Sequence, residues 1–106
     1  MTLATQLVLL ALLEEPDCER YGLELGEVAG LATGTIHPIL ARLEKVGWIH
    51  SRWEEVDPKV EGRPRRRYYR LDPNSIAPIR AALARAQVPV AALRRLRPEL
   101  GGDFCG

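Results

Sequence analysis

Four arginines within five residues are the side chains whose type and spacing most clearly suit a chemical task, and that task is anion binding. They are Arg63, Arg65, Arg66 and Arg67. A guanidinium group presents a planar fork of N–H donors that matches the oxygens of a phosphate. On a flexible hairpin, such groups can enter the minor groove of a duplex or bracket its backbone. The alternative is a basic loop that only aids solubility.

A second group of polar side chains lies upstream, in the stretch 33–46. Apolar residues recur there at helical spacing, which predicts a helix with one buried face. We expect Thr33 to cap this helix, Pro38 to lie in its first turn and Gly47 to end it. The buried face is expected to consist of Ile36, Ile39, Leu40, Leu43 and Val46.

The outward face of this helix suits contact with a nucleic acid. The unpaired N–H groups at a helix N-terminus attract a phosphate, and short threonine side chains let it approach closely. Arg42 could reach a phosphate or a guanine. The alternative is an ordinary amphipathic helix whose outer face is only solvated. The candidate contact residues are Thr33, Thr35, His37, Pro38, Arg42 and Lys45.

The charge distribution favours a localised anion-binding face. The net charge is only +1, yet residues 1–58 carry four Lys and Arg against ten Asp and Glu. Residues 59–97 carry eleven Lys and Arg against two Asp and Glu. Because the cations are segregated in the second half, we expect one cationic surface rather than an evenly charged molecule.

Two further helices would position the helix 33–46. The stretch 3–14 is apolar on nearly every side and predicts a helix that is covered from more than one direction. A second helix is expected over 20–29, capped by Asp17 or Glu19 and followed by a short turn at 30–32. This second helix, the turn and the helix 33–46 form a helix-turn-helix pattern.

The residues after Gly47 predict a β-hairpin. The apolar pattern changes there to a period of two, which indicates a strand starting at Ile49, and a second alternating stretch covers 67–71. The residues 55–64 between them are rich in turn formers and predict a flexible hairpin tip. Two strands with a basic tip directly after a helix-turn-helix predict a winged helix. We name residues 59–67 the basic wing.

The predicted fold is mainly α with a small β-hairpin: a winged helix-turn-helix in the order α-α-α-β-β-α with a C-terminal dimerisation helix. We expect residues 72–75 to close the hairpin and cap a fourth helix over 76–87, and a last short helix to reach Pro98. The predicted domains are a winged helix-turn-helix DNA-binding domain at 1–72, dimerisation helices at 73–98 and a disordered tail at 99–106.

No side chains predict catalysis, a metal site or a cofactor. Neither histidine lies in a nucleophile–base arrangement, and Cys18, His37 and His50 lack the spacing of metal ligands. Because Cys18 and Cys105 lie far apart in sequence, we expect both to be free thiols. No apolar run is long enough to cross a membrane, so we expect a cytoplasmic protein.

Trp53 and Tyr69 have two open interpretations. Aromatic side chains in such strands most often pack in the core. An aromatic ring near a dimer cleft can also line an apolar pocket for a small hydrophobic effector. The sequence leaves both interpretations open.

Four sequence blocks, taken in order, resemble the PadR-like transcriptional regulators. They are 21–25, 33–47, 48–55 and 62–71, and the resemblance covers about residues 3 to 85. The chain differs from the family pattern at His37, where tyrosine is usual, and at residues 72–73, where threonine and glycine are common. The resemblance implies a winged-helix repressor that dimerises through its N-terminal helix and the helices after the wing. Some family members bind flat hydrophobic molecules.

We therefore expect a DNA-binding transcriptional regulator and not an enzyme. It would be a dimeric repressor on a palindromic operator, with the helix 33–46 in the major groove and the basic wing alongside. The expected partners are double-stranded DNA, a second copy of the chain and a small hydrophobic effector, with no membrane, and the expected location is the cytoplasm, at the nucleoid. The alternative is a winged-helix module that docks another protein without reading a DNA sequence.

Overall fold

The computed structural model describes residues 1–86, and this part of the chain contains five helices and three strands. The helices are α1 (Leu3–Glu14), α2 (Gly22–Ala29), α3 (Thr33–Lys45), the single turn α4 (Pro58–Glu61) and α5 (Ile76–Ala86). The strands are β1 (Arg20–Tyr21), β2 (Ile49–Trp53) and β3 (Arg67–Leu71), and a 3-10 turn (Pro73–Ser75) precedes α5. The strands form one antiparallel sheet in the order β1-β3-β2. The predicted fold class is confirmed, while the C-terminal dimerisation helix stays a prediction.

The core lies between the helices and the inner face of the sheet. Leu9 of α1, Leu25 of α2 and Leu40 of α3 are fully buried in it. Ile79 of α5 is also fully buried in this core, and α5 contacts α1. The first part of the predicted dimerisation region, 73–98, therefore packs on the winged-helix core of its own chain.

The start of the second helix differs from the prediction. Arg20 and Tyr21 do not begin a helix but form β1, which pairs with Tyr69 and Tyr68 of β3. α2 begins at Gly22, and the Glu24 carboxylate accepts the Tyr21 N–H at 3.4 Å. The predicted caps Asp17 and Glu19 are therefore wrong. Arg20 and Tyr21 form a strand because β3, from a distant part of the chain, offers hydrogen-bond partners to their backbone. A pattern of helical spacing does not reveal such a distant partner.

α3 lies where the sequence predicted it, but three of its details differ. Its N-cap is Ala32, so Thr33 is the first helical residue and not the cap. Pro38 is the sixth helical residue, beyond the first turn; its ring leaves the carbonyl of Gly34 without the usual intrahelical donor, and Gly34 is solvent-exposed. Val46 is 65% exposed rather than buried. The other four predicted apolar residues are buried, namely Ile36, Ile39, Leu40 and Leu43.

The helix ends as predicted at a glycine. Gly47 has a φ of +84°, and its N–H donates to the carbonyl of Glu44 while the N–H of Trp48 donates to Leu43. This left-handed residue turns the chain from α3 directly into β2. α3 and the hairpin are thus joined by a tight, hydrogen-bonded corner.

The hairpin tip contains a short helical turn that the sequence analysis did not predict. Five residue pairs, from Ile49↔Leu71 to Trp53↔Arg67, set the register of β2 and β3. Beyond them lies α4, whose first turn is capped by the Asp57 carboxylate, which accepts the Lys59 N–H at 2.9 Å. Gly62, with a φ of +69°, ends the turn. The basic wing therefore has a defined backbone shape.

The remaining sequence expectations concern single residues and the end of the chain. Cys18 is disulfide-bonded, so the expected free thiol is wrong at this position. The last predicted helix up to Pro98 and the tail 99–106 lie outside the described residues. Within 1–86, no helix has the length and apolar character needed to span a bilayer, and no three His, Cys, Asp or Glu side chains gather as metal ligands would.

Candidate nucleic-acid interface

The outward face of α3 carries all six residues that were predicted to contact a nucleic acid. Arg42 and Lys45 lie in the last turn, and the two threonines lie in the first. The Thr35 N–H donates to the Ala32 carbonyl at 3.0 Å, whereas the N–H groups of the exposed residues Thr33 and Gly34 have no intrahelical acceptor. The six exposed side chains are Thr33, Thr35, His37, Pro38, Arg42 and Lys45.

His37 packs against the start of α2. A Cβ atom added to Gly22, the first residue of α2, would lie 2.9 Å from Cε1 of His37. The two helices of the helix-turn-helix therefore approach closely through a glycine and an imidazole. The ring stays solvent-exposed on its other side, at the edge of the α3 outer face.

Arg63 is held inside the basic wing. Its Nη1 and Nη2 donate to Oε1 and Oε2 of Glu54 at 2.7 and 3.0 Å. The backbone N–H of Arg66 also donates to Glu54 Oε1, at 3.3 Å. The Arg63 hydrogen bonds, helped by the Arg66 N–H, lower the pKa of the Glu54 carboxyl from its ordinary 4.5 to about 2. Arg63 is thus placed to brace the hairpin, and its predicted contact with a nucleic acid stays a prediction.

Arg67 connects the base of the basic wing to α3. Its Nε donates to Ser51 Oγ at 2.9 Å, and its Nη2 donates to Glu44 Oε1 at 3.2 Å. The Ser51 hydroxyl donates in turn to the other Glu44 oxygen. A three-residue hydrogen-bond network therefore fixes the first residue of β3 against the last turns of the helix.

Arg65 and Arg66 point to different sides of the hairpin. The Arg65 Nε donates to the Val56 carbonyl at 2.9 Å, and the side chain is exposed. The Arg66 guanidinium lies 4.3 Å from the ring centroid of Tyr21, on the outer face of the sheet. Arg65 therefore offers its terminal Nη groups to solvent on the tip of the wing.

Two carboxylates in this arrangement escaped the sequence analysis. Glu54 and Glu44 hold Arg63 and Arg67, although each lies far from its partner along the chain. A charge count signals only that acidic residues precede the basic stretch. The pairs become visible when the hairpin register brings β2, β3 and α3 together.

The two aromatic residues occupy different environments. Tyr69 lies in the core with 7% exposure, and burial raises the pKa of its phenol. Trp53 is 56% exposed and lines an open depression together with Pro58, Pro64 and Arg65. The Arg67 guanidinium lies 5.5 Å from the Trp53 ring and 5.9 Å from the Tyr69 ring. The space between the two rings is therefore occupied by a cation.

Several known proteins with a similar sequence or fold are described as transcriptional regulators. The sequence profile of the transcriptional regulator PadR-like family matches residues 9–74. A PadR family transcriptional regulator from Eggerthella lenta is 25% identical, with a TM-score of 0.60 over 85% of this chain and 80% of that one. A transcriptional regulator from Clostridium thermocellum is 22% identical, with a TM-score of 0.62 over 89% of each chain.

A possible transcriptional regulator from Methanosarcina mazei has the same fold, with a TM-score of 0.62 and 21% identity over 94% of this chain and 77% of that one. No curated protein sequence matches the chain.

Proposed function

This chain belongs to the transcriptional regulator PadR-like family, and from that premise we propose that it is a dimeric, sequence-specific repressor acting in the cytoplasm on the nucleoid. Its α3 lies in the major groove of an operator, and the basic wing contacts the adjacent backbone or minor groove. Thr33, Thr35 and the backbone N–H groups beside them bind phosphate. Arg42 reads base edges. His37, Pro38 and Lys45 complete the contact surface of the helix.

One observation carries the proposal: the hydrogen bonds among Arg67, Ser51 and Glu44 tie the basic wing to α3. Because the two elements are linked, their cations act on the same partner. Duplex DNA is a partner with a regular array of anions, and arginine is the side chain that binds phosphate in a bidentate way. A wing that docks a protein has no need of four arginines within five residues.

The proposed dimer forms through the open face of α1 and the dimerisation residues 73–98, so that 1–72 serves as the DNA-binding domain. Leu3 is 61% exposed, and Leu7 and Leu10 on the same face are half-buried. A twofold axis would set two copies of α3 about one helical turn of DNA apart on a palindromic operator. Leu10→Glu is expected to yield monomers in sedimentation velocity, whereas a monomeric wild-type protein would contradict the dimer.

A small hydrophobic effector is a further part of the proposal. Its site would lie between Trp53 and Tyr69, so binding would require the Arg67 guanidinium to leave its place beside the two rings. Because Arg67 also bonds Glu44, such a ligand would loosen the basic wing and weaken DNA binding. Planar aromatic compounds can be tested for binding by the quenching of tryptophan emission. Compounds that quench the emission without changing the affinity for DNA would contradict the effector proposal.

Selection of bound sequences from a random duplex pool tests the function itself. The wild-type protein is expected to enrich a palindrome, and Arg42→Ala is expected to change which bases are enriched. Arg65→Ala is expected to lower recovery of all sequences alike. No enrichment, together with elution from heparin at low salt, would favour the protein-docking module instead.

A further inference from the structure

Trp53 is the one large aromatic side chain in the described part of the chain that is left more than half exposed. It ends β2, and 56% of its surface is accessible. It pairs across the hairpin with Arg67, whose guanidinium lies over one side of the indole, and Arg65 lines the same open depression. Pro58 and Pro64 complete the depression. An apolar surface is thus placed between two cations.

The indole lies on the side of the hairpin that is turned toward α3. Side chains alternate along β2, so Ile49, Ser51 and Trp53 share one face of the strand. Ile49 is buried in the core, and Ser51 bonds Glu44 of α3. Trp53 lies next along this face and keeps 56% of its surface exposed. The indole therefore borders the surface that α3 and the basic wing present together.

The arrangement matches the chemistry of a nucleic-acid backbone. A DNA strand alternates an apolar deoxyribose ring with an anionic phosphate, and the depression alternates an indole and proline rings with guanidinium groups. The Nη groups of Arg65 and the Nη1 of Arg67, which their described hydrogen bonds leave open, can donate to phosphates, and the indole between them offers an apolar surface to a sugar. We propose that Trp53 packs against a deoxyribose of the bound duplex, beside phosphates held by Arg65 and Arg67.

This inference rests on the proposed DNA-binding function and adds to it a contact of a different physical kind. A phosphate contact releases counterions and so steepens the dependence of affinity on salt concentration. An apolar contact with a sugar releases none. Trp53 therefore contributes to affinity without contributing to the salt slope, whereas Arg65 contributes to both.

Fluorescence anisotropy of a labelled duplex, titrated over a series of salt concentrations, tests the proposal. Trp53→Ala is expected to weaken binding about tenfold with an unchanged salt slope. Trp53→Phe is expected to recover part of the loss. Leu23→Ala is the matched control, because Leu23 is an apolar residue of similar exposure (54%) that lies on α2, outside the basic wing and outside the residues lining the depression. Circular dichroism confirms that each variant is folded.

The outcomes separate this inference from the function on which it rests. Wild-type affinity in Trp53→Ala, or an equal loss in Leu23→Ala, would overturn the sugar contact while leaving the DNA-binding function in place. A loss in Trp53→Ala that comes with a shallower salt slope would show that the indole acts only through Arg67, which also overturns it. Failure of the wild-type protein to bind any duplex would overturn both.

A measurement on the unaltered protein makes the test independent of variant folding. Trp48 is half-buried and Trp53 is exposed, so acrylamide quenching reports mainly on Trp53. Addition of duplex DNA is expected to shield the indole and reduce quenching. Unchanged quenching at saturating duplex would contradict the contact.

Discussion

Replacement of single wing arginines distinguishes side chains that bind phosphate from those that brace the hairpin. Arg65 is exposed, and its one described hydrogen bond uses Nε, which leaves the terminal Nη groups for a ligand. Arg63 gives both Nη groups to Glu54 at 2.7 and 3.0 Å. We therefore expect Arg65→Ala to remove one phosphate contact per subunit and Arg63→Ala to remove none.

The magnitude follows from counterion release. Each neutralised phosphate contributes about 0.9 to the slope of log affinity against log salt concentration. Arg65→Ala should thus lower the slope by about 0.9 per subunit. Over a fourfold rise in salt concentration, the ratio of wild-type to variant affinity should therefore shrink about 3.5-fold for each subunit. Arg63→Ala should lower the affinity at every salt concentration while the slope stays unchanged, because the Glu54 contact that shapes the hairpin is lost.

Anisotropy titrations of both variants on one duplex measure these slopes. Equal slopes for wild type and Arg65→Ala would refute the assignment of Arg65 to phosphate. A slope that falls as much in Arg63→Ala would refute the bracing role, since it would mean that the ion pair opens when DNA binds.

Three further predictions concern the stability of the fold. The pKa of Glu54 is lowered to about 2, so its pairing stabilises the folded state above the ordinary carboxyl pKa of 4.5, and this stabilisation is lost as the pH falls from there toward 2. In acid titrations, the free energy of unfolding should therefore fall less in Glu54→Gln than in the wild-type protein. Identical profiles would contradict this prediction. Gly26→Ala should lower the free energy of unfolding by more than about 1 kcal/mol, because the new Cβ would lie 2.9 Å from the Leu31 carbonyl oxygen. In Gly22→Ala the nearest neighbour of the new Cβ is the movable His37 imidazole, so the free energy of unfolding should stay within about 1 kcal/mol of the wild-type value. Equal losses for Gly26→Ala and Gly22→Ala in urea denaturation would contradict this difference. Leu40→Ala, at a fully buried position, should cost about 2–5 kcal/mol in the same assay, and a loss below about 1 kcal/mol would mean that α3 is not packed as described.

Elements with a strong local pattern could be predicted from the sequence. The buried face of α3 and the glycine that ends it follow from helical spacing and from one residue type. The alternation in 49–53 and 67–71 predicted both long strands. These features depend on neighbours within a few residues, which is the range that periodicity measures.

Features that depend on distant partners were missed or misplaced. β1 has only two residues, and it is a strand because β3 pairs with it. The predicted N-cap, Thr33, lies one residue after the observed N-cap, Ala32. Side-chain preference alone does not fix a helix end to a single residue. The roles of Glu54 and Glu44 depend on the hairpin register and on the packing of α3, and neither has a local signature.

The central claim is that α3 and the basic wing bind one duplex together. Hydrogen–deuterium exchange of the wild-type protein, with and without a saturating operator duplex, measures this for both segments in one experiment. The account predicts that residues 33–45 and 59–67 both become protected when DNA is added. Protection of only one segment, or of neither, would contradict it.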